Sequence, residues 1–140
     1  MSSKKDKFTN KDRFYMNLAI NLARGQDGLT GLNPSVGCVI VKNKKIISHA
    51  VRSINGRPHA ETIALNKNKK NNKGSTVYLT LEPCTHYGKT PPCTNALIKS
   101  KVKKVIYSIE DKDLRSFNKS KKILKLNKIS VKSGLLSNEV

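Results

Sequence analysis

Residues 74–93 read GSTVYLTLEPCTHYGKTPPC, and this stretch indicates the fold class of the chain. Residues 76–81 are rich in β-branched and aromatic side chains, which favours a strand. A long loop with three prolines follows. The pair Pro91-Pro92 precedes a segment that begins at Cys93, and we predict a helix there because proline is common at helix starts. The stretch therefore predicts a strand, a loop bounded by two cysteines, and a helix.

Helices and strands are also predicted on both sides of this stretch. A capping signal at residues 9–12 precedes a helix with one apolar face, and we expect Gly25 to end that helix. Residues 35–41 and 46–51 predict a hairpin around Asn43-Lys44. We predict the remaining elements as helices at residues 60–66, 93–99 and 116–126 and strands at residues 102–109 and 129–132. The order α-β-β-α-β-α-β-α-β predicts an α/β protein with parallel later strands and helices on the faces of the sheet.

The length and composition bound the class of protein. The 140 residues fit one domain, and we expect a flexible basic tail at residues 1–11 followed by the folded domain at residues 12–140. No apolar run approaches the ~20 residues that a membrane-spanning helix needs, so we expect no membrane partner. Three cysteines are an odd number and do not suggest a disulfide framework. We therefore expect a cytoplasmic protein with reduced thiols.

The charge is strongly positive, with 28 basic against nine acidic residues and a formal net charge of +19. Such a charge can indicate a nucleic-acid partner. However, only five of the basic residues are arginine, the side chain best suited to bidentate phosphate and base contacts. We interpret the charge as compositional drift toward lysine and do not expect nucleic acid to be the main partner.

The residue types His59, Cys84 and Cys93 together predict a metal site. One imidazole nitrogen and two thiolates suit Zn²⁺, and three protein ligands leave a fourth position for water, as in catalytic sites. Glu61 lies two residues after His59 and can face the water without binding the metal. We therefore expect one Zn²⁺ per chain, with Glu61 as the general base and acid that moves protons during a hydrolytic deamination.

Two other interpretations remain open at this point. A non-catalytic zinc or nucleic-acid-binding module would normally need a fourth cysteine or histidine, and His86 is the candidate, although it lies only two residues from Cys84. An enzyme that deaminates bases in tRNA or another nucleic acid would agree with the charge. The scarcity of arginine disfavours that enzyme.

The sequence resembles the deaminase domain of the bifunctional riboflavin-biosynthesis deaminase/reductase (RibD type), in the cytidine-deaminase-like superfamily. The matching strings are NPSVGCVIV at residues 33–41, GRPHAE at 56–61, GSTVYLTLEPC at 74–84 and HYGKTPPC at 86–93. The eight residues between Cys84 and Cys93 are a specific feature, because nucleic-acid-editing relatives have two residues there. The resemblance implies a three-layer α/β/α sandwich around a five-stranded mixed sheet.

The resemblance also implies a substrate and its contacts. The substrate is 2,5-diamino-6-ribosylamino-4(3H)-pyrimidinone 5′-phosphate, a small phosphorylated pyrimidine, which loses its 2-amino group as ammonia to give 5-amino-6-(5-phosphoribosylamino)uracil. The implied substrate-binding side chains are Asn33, Arg52, His86, Lys89, Asp111 and Asp113. Arg52 stands where the family usually has histidine, and Asp113 where it has asparagine, so these two positions depart from the family pattern.

The family continues into an NADPH-dependent reductase domain, for which residues 12–140 leave no room. Our hypothesis is that a separate reductase protein exists and could be a partner. Relatives commonly self-associate, so a homodimer is the other partner to test.

Overall fold

A computed structural model describes residues 8–27, 35–53, 59–85, 92–110 and 119–136 of the chain. The helices are α1 (Asn10–Asp27), α2 (Ala60–Lys67), α3 (Cys93–Lys99) and α4 (Lys119–Leu126), with a short 3₁₀ turn at Lys69–Asn71. The strands are β1 (Ser35–Lys42), β2 (Lys45–Ser53), β3 (Thr76–Leu81), β4 (Lys104–Ile109) and β5 (Ser130–Ser133). The predicted order of helices and strands is confirmed, and the 3₁₀ turn is an additional element between α2 and β3.

The five strands form one mixed sheet in the order β2-β1-β3-β4-β5. Strand β1 is antiparallel to both β2 and β3, whereas β3, β4 and β5 are mutually parallel. The hairpin between β1 and β2 turns at Asn43 and Lys44, which both have positive φ angles (52° and 64°). Two consecutive residues with positive φ are typical of a type I′ turn, the tight turn that joins antiparallel strands.

Helices cover both faces of the sheet. On one face, α1 packs through Met16 and Ala19 against side chains of β1, β3 and β4. On the other face, α2, α3 and α4 bury residues such as Ala64, Leu97 and Leu124 against the sheet. Two apolar cores therefore lie on either side of one sheet, and the three-layer α/β/α sandwich is confirmed.

Helix α1 differs from its prediction at its end. The capping signal is confirmed, because the Asp12 N–H donates to Thr9 Oγ1 and the Thr9 N–H donates to Asp12 Oδ2, both at 3.0 Å. The expectation that Gly25 ends the helix is wrong, because α1 continues to Asp27. Glycine lowers helix stability by only about 1 kcal/mol, so tertiary packing can carry the helix through it.

Helix α1 contacts strands β3 and β1 of the sheet at two places. The Tyr78 hydroxyl of β3 donates to Asp12 Oδ1 at 2.7 Å, in the interior. Gly37 of β1 lies against the main chain of α1, where a Cβ atom would be 2.0 Å from the Ala19 oxygen. Its N–H donates to Thr80 Oγ1 at 3.1 Å. Helix α1 therefore lies directly against the main chain of β1 at Gly37.

Three strands do not begin where the sequence predicted. Strand β2 begins at Lys45, one residue before its predicted start, and β5 begins at Ser130, one residue after its predicted start. Strand β4 begins at Lys104, two residues after its predicted start. Helix α4 is described from Lys119, and residues 116–118 of its prediction lie outside the described residues. Among the described helices, none is both long and apolar enough to cross a membrane.

Candidate metal centre and active site

Three elements bring the predicted ligands together. His59 is the N-cap residue of α2, with extended main-chain angles, and Cys93 is the first residue of α3 after the N-cap residue Pro92. Cys84 lies three residues after the end of β3. The starts of two helices and the carboxyl end of a central strand therefore meet at one point, a common location for ligand sites in α/β proteins.

The distances between the ligand atoms fit a metal ion. His59 Nδ1 lies 3.0 Å from Cys93 Sγ and 3.7 Å from Cys84 Sγ, and the three ligand atoms all lie within 4.8 Å of one another. A tetrahedral zinc ion separates a sulfur and a nitrogen ligand by about 3.6 Å. The set also has the soft character that zinc prefers. His59, Cys84 and Cys93 could therefore hold Zn²⁺.

The surroundings of Cys84 favour its thiolate. Hydrogen bonding from the Cys93 side chain is the main cause that lowers the pKa of Cys84 to about 4, and His59 and the Cys93 main chain contribute. The Cys93 N–H donates to Cys84 Sγ at 3.1 Å. The hydrogen bond with the Cys84 side chain and burial raise the pKa of the Cys93 thiol. A bound cation would favour thiolates at both positions.

Glu61 has the environment of an acid-base residue. It lies in the first turn of α2 and is only 3% exposed. Burial is the main cause that raises the pKa of Glu61 above that of an ordinary carboxyl, and the negative charge of Cys84 adds to it. A carboxyl with a raised pKa beside a metal site can both take up and release a proton near neutral pH.

The predicted substrate contacts are only partly within the described residues. Asn33, His86, Lys89, Asp111 and Asp113 lie outside them. Arg52 lies on the edge strand β2, opposite Val36, with an exposed side chain. Cys38, the third cysteine of the chain, is fully buried in the core beneath α2.

Thr62 lies near the cluster of His59, Cys84 and Cys93 and was not among the predicted site residues. Its hydroxyl points to Cys93 Sγ at 3.9 Å, a long sulfur contact. The signal available in the sequence was its position in the first turn of the helix that follows His59. That position alone does not show which partner the hydroxyl meets, because Cys93 is 31 residues away.

Residues 9–109 match the family model described as the cytidine and deoxycytidylate deaminase zinc-binding region. This range contains His59, Glu61, Cys84 and Cys93, and it extends from the capping box of α1 to the end of β4. The fold, the three side chains that could hold a metal ion and the buried carboxyl thus agree with the class of zinc-binding deaminases.

Similar proteins indicate which kind of zinc-binding deaminase the chain resembles. The chain is 50% identical over 129 residues to a diaminohydroxyphosphoribosylamino-pyrimidine deaminase of Buchnera aphidicola subsp. Schizaphis graminum, covering 92% of this chain and 88% of that protein. It is 42% identical over 128 residues to the riboflavin biosynthesis protein RibD of Aquifex aeolicus, covering 91% of this chain and 36% of that protein. The solved structure of Acinetobacter baumannii RibD superposes with a TM-score of 0.83 at 42% identity, covering 92% of this chain and 36% of that one.

The chain belongs to the cytidine and deoxycytidylate deaminase family and, within it, to the branch of the diaminohydroxyphosphoribosylamino-pyrimidine deaminases of riboflavin biosynthesis. It spans most of the Buchnera deaminase but only 36% of the two RibD proteins, which are correspondingly longer.

Proposed function

We propose that this chain is a zinc-dependent hydrolytic deaminase that converts 2,5-diamino-6-ribosylamino-4(3H)-pyrimidinone 5′-phosphate to 5-amino-6-(5-phosphoribosylamino)uracil and ammonia. The observation that carries the proposal is the buried Glu61 carboxyl beside the cluster of His59, Cys84 and Cys93. The name of the Buchnera relative, which is 50% identical, supports the choice of substrate.

The proposed roles in the reaction are metal binding, by three residues, and proton transfer, by one. His59, Cys84 and Cys93 would hold the metal, and the N–H of Cys93 donates to Cys84 Sγ and so favours its thiolate. A bound zinc ion supplies a Lewis acid that lowers the pKa of water toward ~7. Glu61 would take the two protons of the attacking water in turn, passing the first to the ring nitrogen and the second to the amino group that leaves as ammonia. Its raised pKa suits both transfers.

The substrate contacts expected from the resemblance complete the proposal. Asn33 binds the pyrimidine, His86 lines the pocket, and Lys89 and Asp111 bind the phosphoribosyl part. Arg52 and Asp113 occupy positions where the family has other residue types, and we propose that they also contact the substrate. A cationic side chain such as Lys89 suits a phosphate group.

The remaining parts of the proposal concern stoichiometry, partners and location. We propose one zinc ion per chain, because a single cluster supplies the ligands among the described residues. A homodimer and a separate reductase protein remain the proposed partners. The folded unit at residues 12–140, the flexible tail at residues 1–11 and a cytoplasmic location, where thiols stay reduced, are retained as expected from the sequence.

Ammonia release tests the substrate directly. The zinc-loaded chain should release ammonia from the diaminopyrimidinone phosphate and none from a tRNA anticodon stem-loop, which is the substrate expected of a nucleic-acid deaminase. Turnover of the stem-loop without turnover of the pyrimidine would reject the proposal in favour of a base-editing enzyme. Zinc binding without turnover of either would favour a non-catalytic zinc module.

The substitution Glu61→Gln tests the proton transfer. The amide has nearly the same shape but cannot accept a proton, so we expect turnover to fall by about 10²- to 10⁴-fold or more. Zinc content and unfolding temperature should stay close to wild type, because Glu61 is not a member of the ligand cluster. Retained turnover in this variant would show that another group moves the protons.

A further inference from the structure

Glu82 makes a buried polar contact between the carboxyl end of β3 and helix α4. Its side chain is 2% exposed, and Oε2 accepts hydrogen bonds from Ser120 Oγ at 2.7 Å and from the Ser120 N–H at 3.3 Å. Ser120 is fully buried and is the second residue of α4. The carboxylate thus accepts a main-chain N–H in the first described turn of α4, toward the end of the helix that the dipole makes positive.

The main chain of Glu82 is held as well. Its N–H donates to the Ile109 oxygen at 2.8 Å, at the end of the neighbouring parallel strand β4. A buried carboxylate is costly unless hydrogen bonds compensate for the lost water. The contacts to Ile109 and Ser120 therefore favour a single position for Glu82.

Only Pro83 separates Glu82 from the metal-binding residue Cys84. The proline ring fixes φ near −65°, and it also restricts the main chain of the residue before it. Few bonds can rotate between the fixed Glu82 and Cys84. On its other side, Cys84 is held by α3, since its oxygen accepts the Thr94 N–H at 3.2 Å and its sulfur accepts the Cys93 N–H.

We propose that Glu82 is a positioning residue for the zinc ligand Cys84, acting through its hydrogen bonds to Ser120. The inference rests on the zinc site of the proposed function but does not require turnover. Loss of the contact lets Cys84 leave its ligand position more often, so zinc dissociates faster. Residues that orient metal ligands in this way typically change metal affinity by about 10- to 100-fold when removed.

The test compares zinc release from the full chain, wild type against Glu82→Gln and Ser120→Ala. The loaded proteins are mixed with a zinc-binding dye, and the rate of dye colouring gives the dissociation rate. We expect Glu82→Gln to release zinc about 10-fold faster or more, and Ser120→Ala to change the rate in the same direction by a smaller factor. The thiolate-to-metal absorption of the cobalt-loaded proteins should shift in the same order.

Tyr78→Phe is the matched control. It removes a buried hydroxyl-to-carboxylate hydrogen bond of the same 2.7 Å length, made by a residue of β3 on the face covered by α1. We expect it to lower the unfolding temperature while zinc release stays at the wild-type rate. If Glu82→Gln fails to fold, Ser120→Ala carries the test, since it leaves the carboxylate in place.

Three results would overturn the inference. Unchanged release from both variants would show that Cys84 does not depend on Glu82. Faster release from Glu82→Gln alone would assign the effect to charge rather than to position, because Ser120→Ala preserves the charge. Equal acceleration by Tyr78→Phe would assign it to general destabilisation. A wild-type chain that binds no zinc at all would instead reject the proposed function, and this inference with it.

Discussion

Replacing Gly37 with alanine should destabilise the fold strongly, because the added atom has no room. The Cβ atom would lie 2.0 Å from the Ala19 oxygen and 2.9 Å from the Ala19 carbonyl carbon. Both are main-chain atoms inside α1, so no side-chain rotation can relieve the contact. Helix α1 and strand β1 must separate instead.

The size of the effect follows from that separation. An ordinary carbon-oxygen contact is longer than 2.0 Å by more than about 1 Å. A shift of this size loosens the packing of Ala19 and Met16 against Val39 in the core beneath α1. Overpacking a well-packed core costs about 1–3 kcal/mol and sometimes more, and we expect about 3 kcal/mol here. For a chain of 140 residues this corresponds to a fall of about 10 °C in the unfolding temperature.

Urea and thermal unfolding of the zinc-loaded protein measure the effect, with Gly25→Ala as the control. Gly25 lies inside α1, and a Cβ atom there meets nothing within 4 Å. The control should therefore stabilise the protein by up to about 1 kcal/mol, since alanine is the better helix former. A Gly37→Ala protein within about 0.5 kcal/mol of wild type would refute the close approach of α1 to β1.

Three further predictions follow from the interior and from the metal site. Tyr78→Phe should lower stability by about 1–3 kcal/mol at pH 7, because the Asp12 carboxylate loses a buried hydrogen-bond donor. Burial and Asp12 hold the pKa of Tyr78 well above its usual value, so the folded protein keeps a phenol proton that the unfolded chain loses above about pH 10. The stability advantage of wild type over Tyr78→Phe is therefore complete below pH 10 and should shrink as the pH rises further, as urea unfolding across this range would show; an advantage that grows would contradict the assignment. Cys38→Ala should keep its zinc, whereas Cys84→Ala should lose it, as metal analysis after dialysis can check. Chelation should lower the unfolding temperature of wild type but leave that of Cys84→Ala unchanged, because metal binding contributes to folding free energy.

The first and last residues of two elements were predicted correctly from the local sequence. Strand β3 (Thr76–Leu81) and helix α3 (Cys93–Lys99) have their predicted bounds. A β-rich run marks the first, and Pro91-Pro92 precede the second. Gly25 gave a misleading signal, since the packing of α1 on the sheet outweighs the weak helix propensity of one glycine.

Contacts between distant residues could not be predicted. Tyr78 and Asp12 are 66 positions apart, and Glu82 and Ser120 are 38 apart. Neither pair has a spacing that a single sequence would reveal, because the sheet order and the helix placement decide which side chains meet. The close approach of Gly37 to Ala19 depends in the same way on how α1 crosses β1.

The metal cluster was predictable because its chemistry is unusual. Histidine and two cysteines, with a glutamate two residues after the histidine, have few uses other than binding a metal and moving protons. The structure brings His59, Cys84 and Cys93 together across three elements. By contrast, the sequence does not show that the Cys93 N–H donates to Cys84 Sγ, nor that the Glu82 carboxylate beside Cys84 accepts from Ser120.

Zinc titration of the metal-free chain tests the central claim most directly. The measured quantity is the rate of ammonia release from the diaminopyrimidinone phosphate as zinc is added. Because His59, Cys84 and Cys93 form a single ligand cluster among the described residues, the rate should rise from zero and level off at one zinc per chain. Ammonia release by the metal-free chain, or none after one equivalent of zinc has bound, would contradict the assignment as a zinc-dependent deaminase.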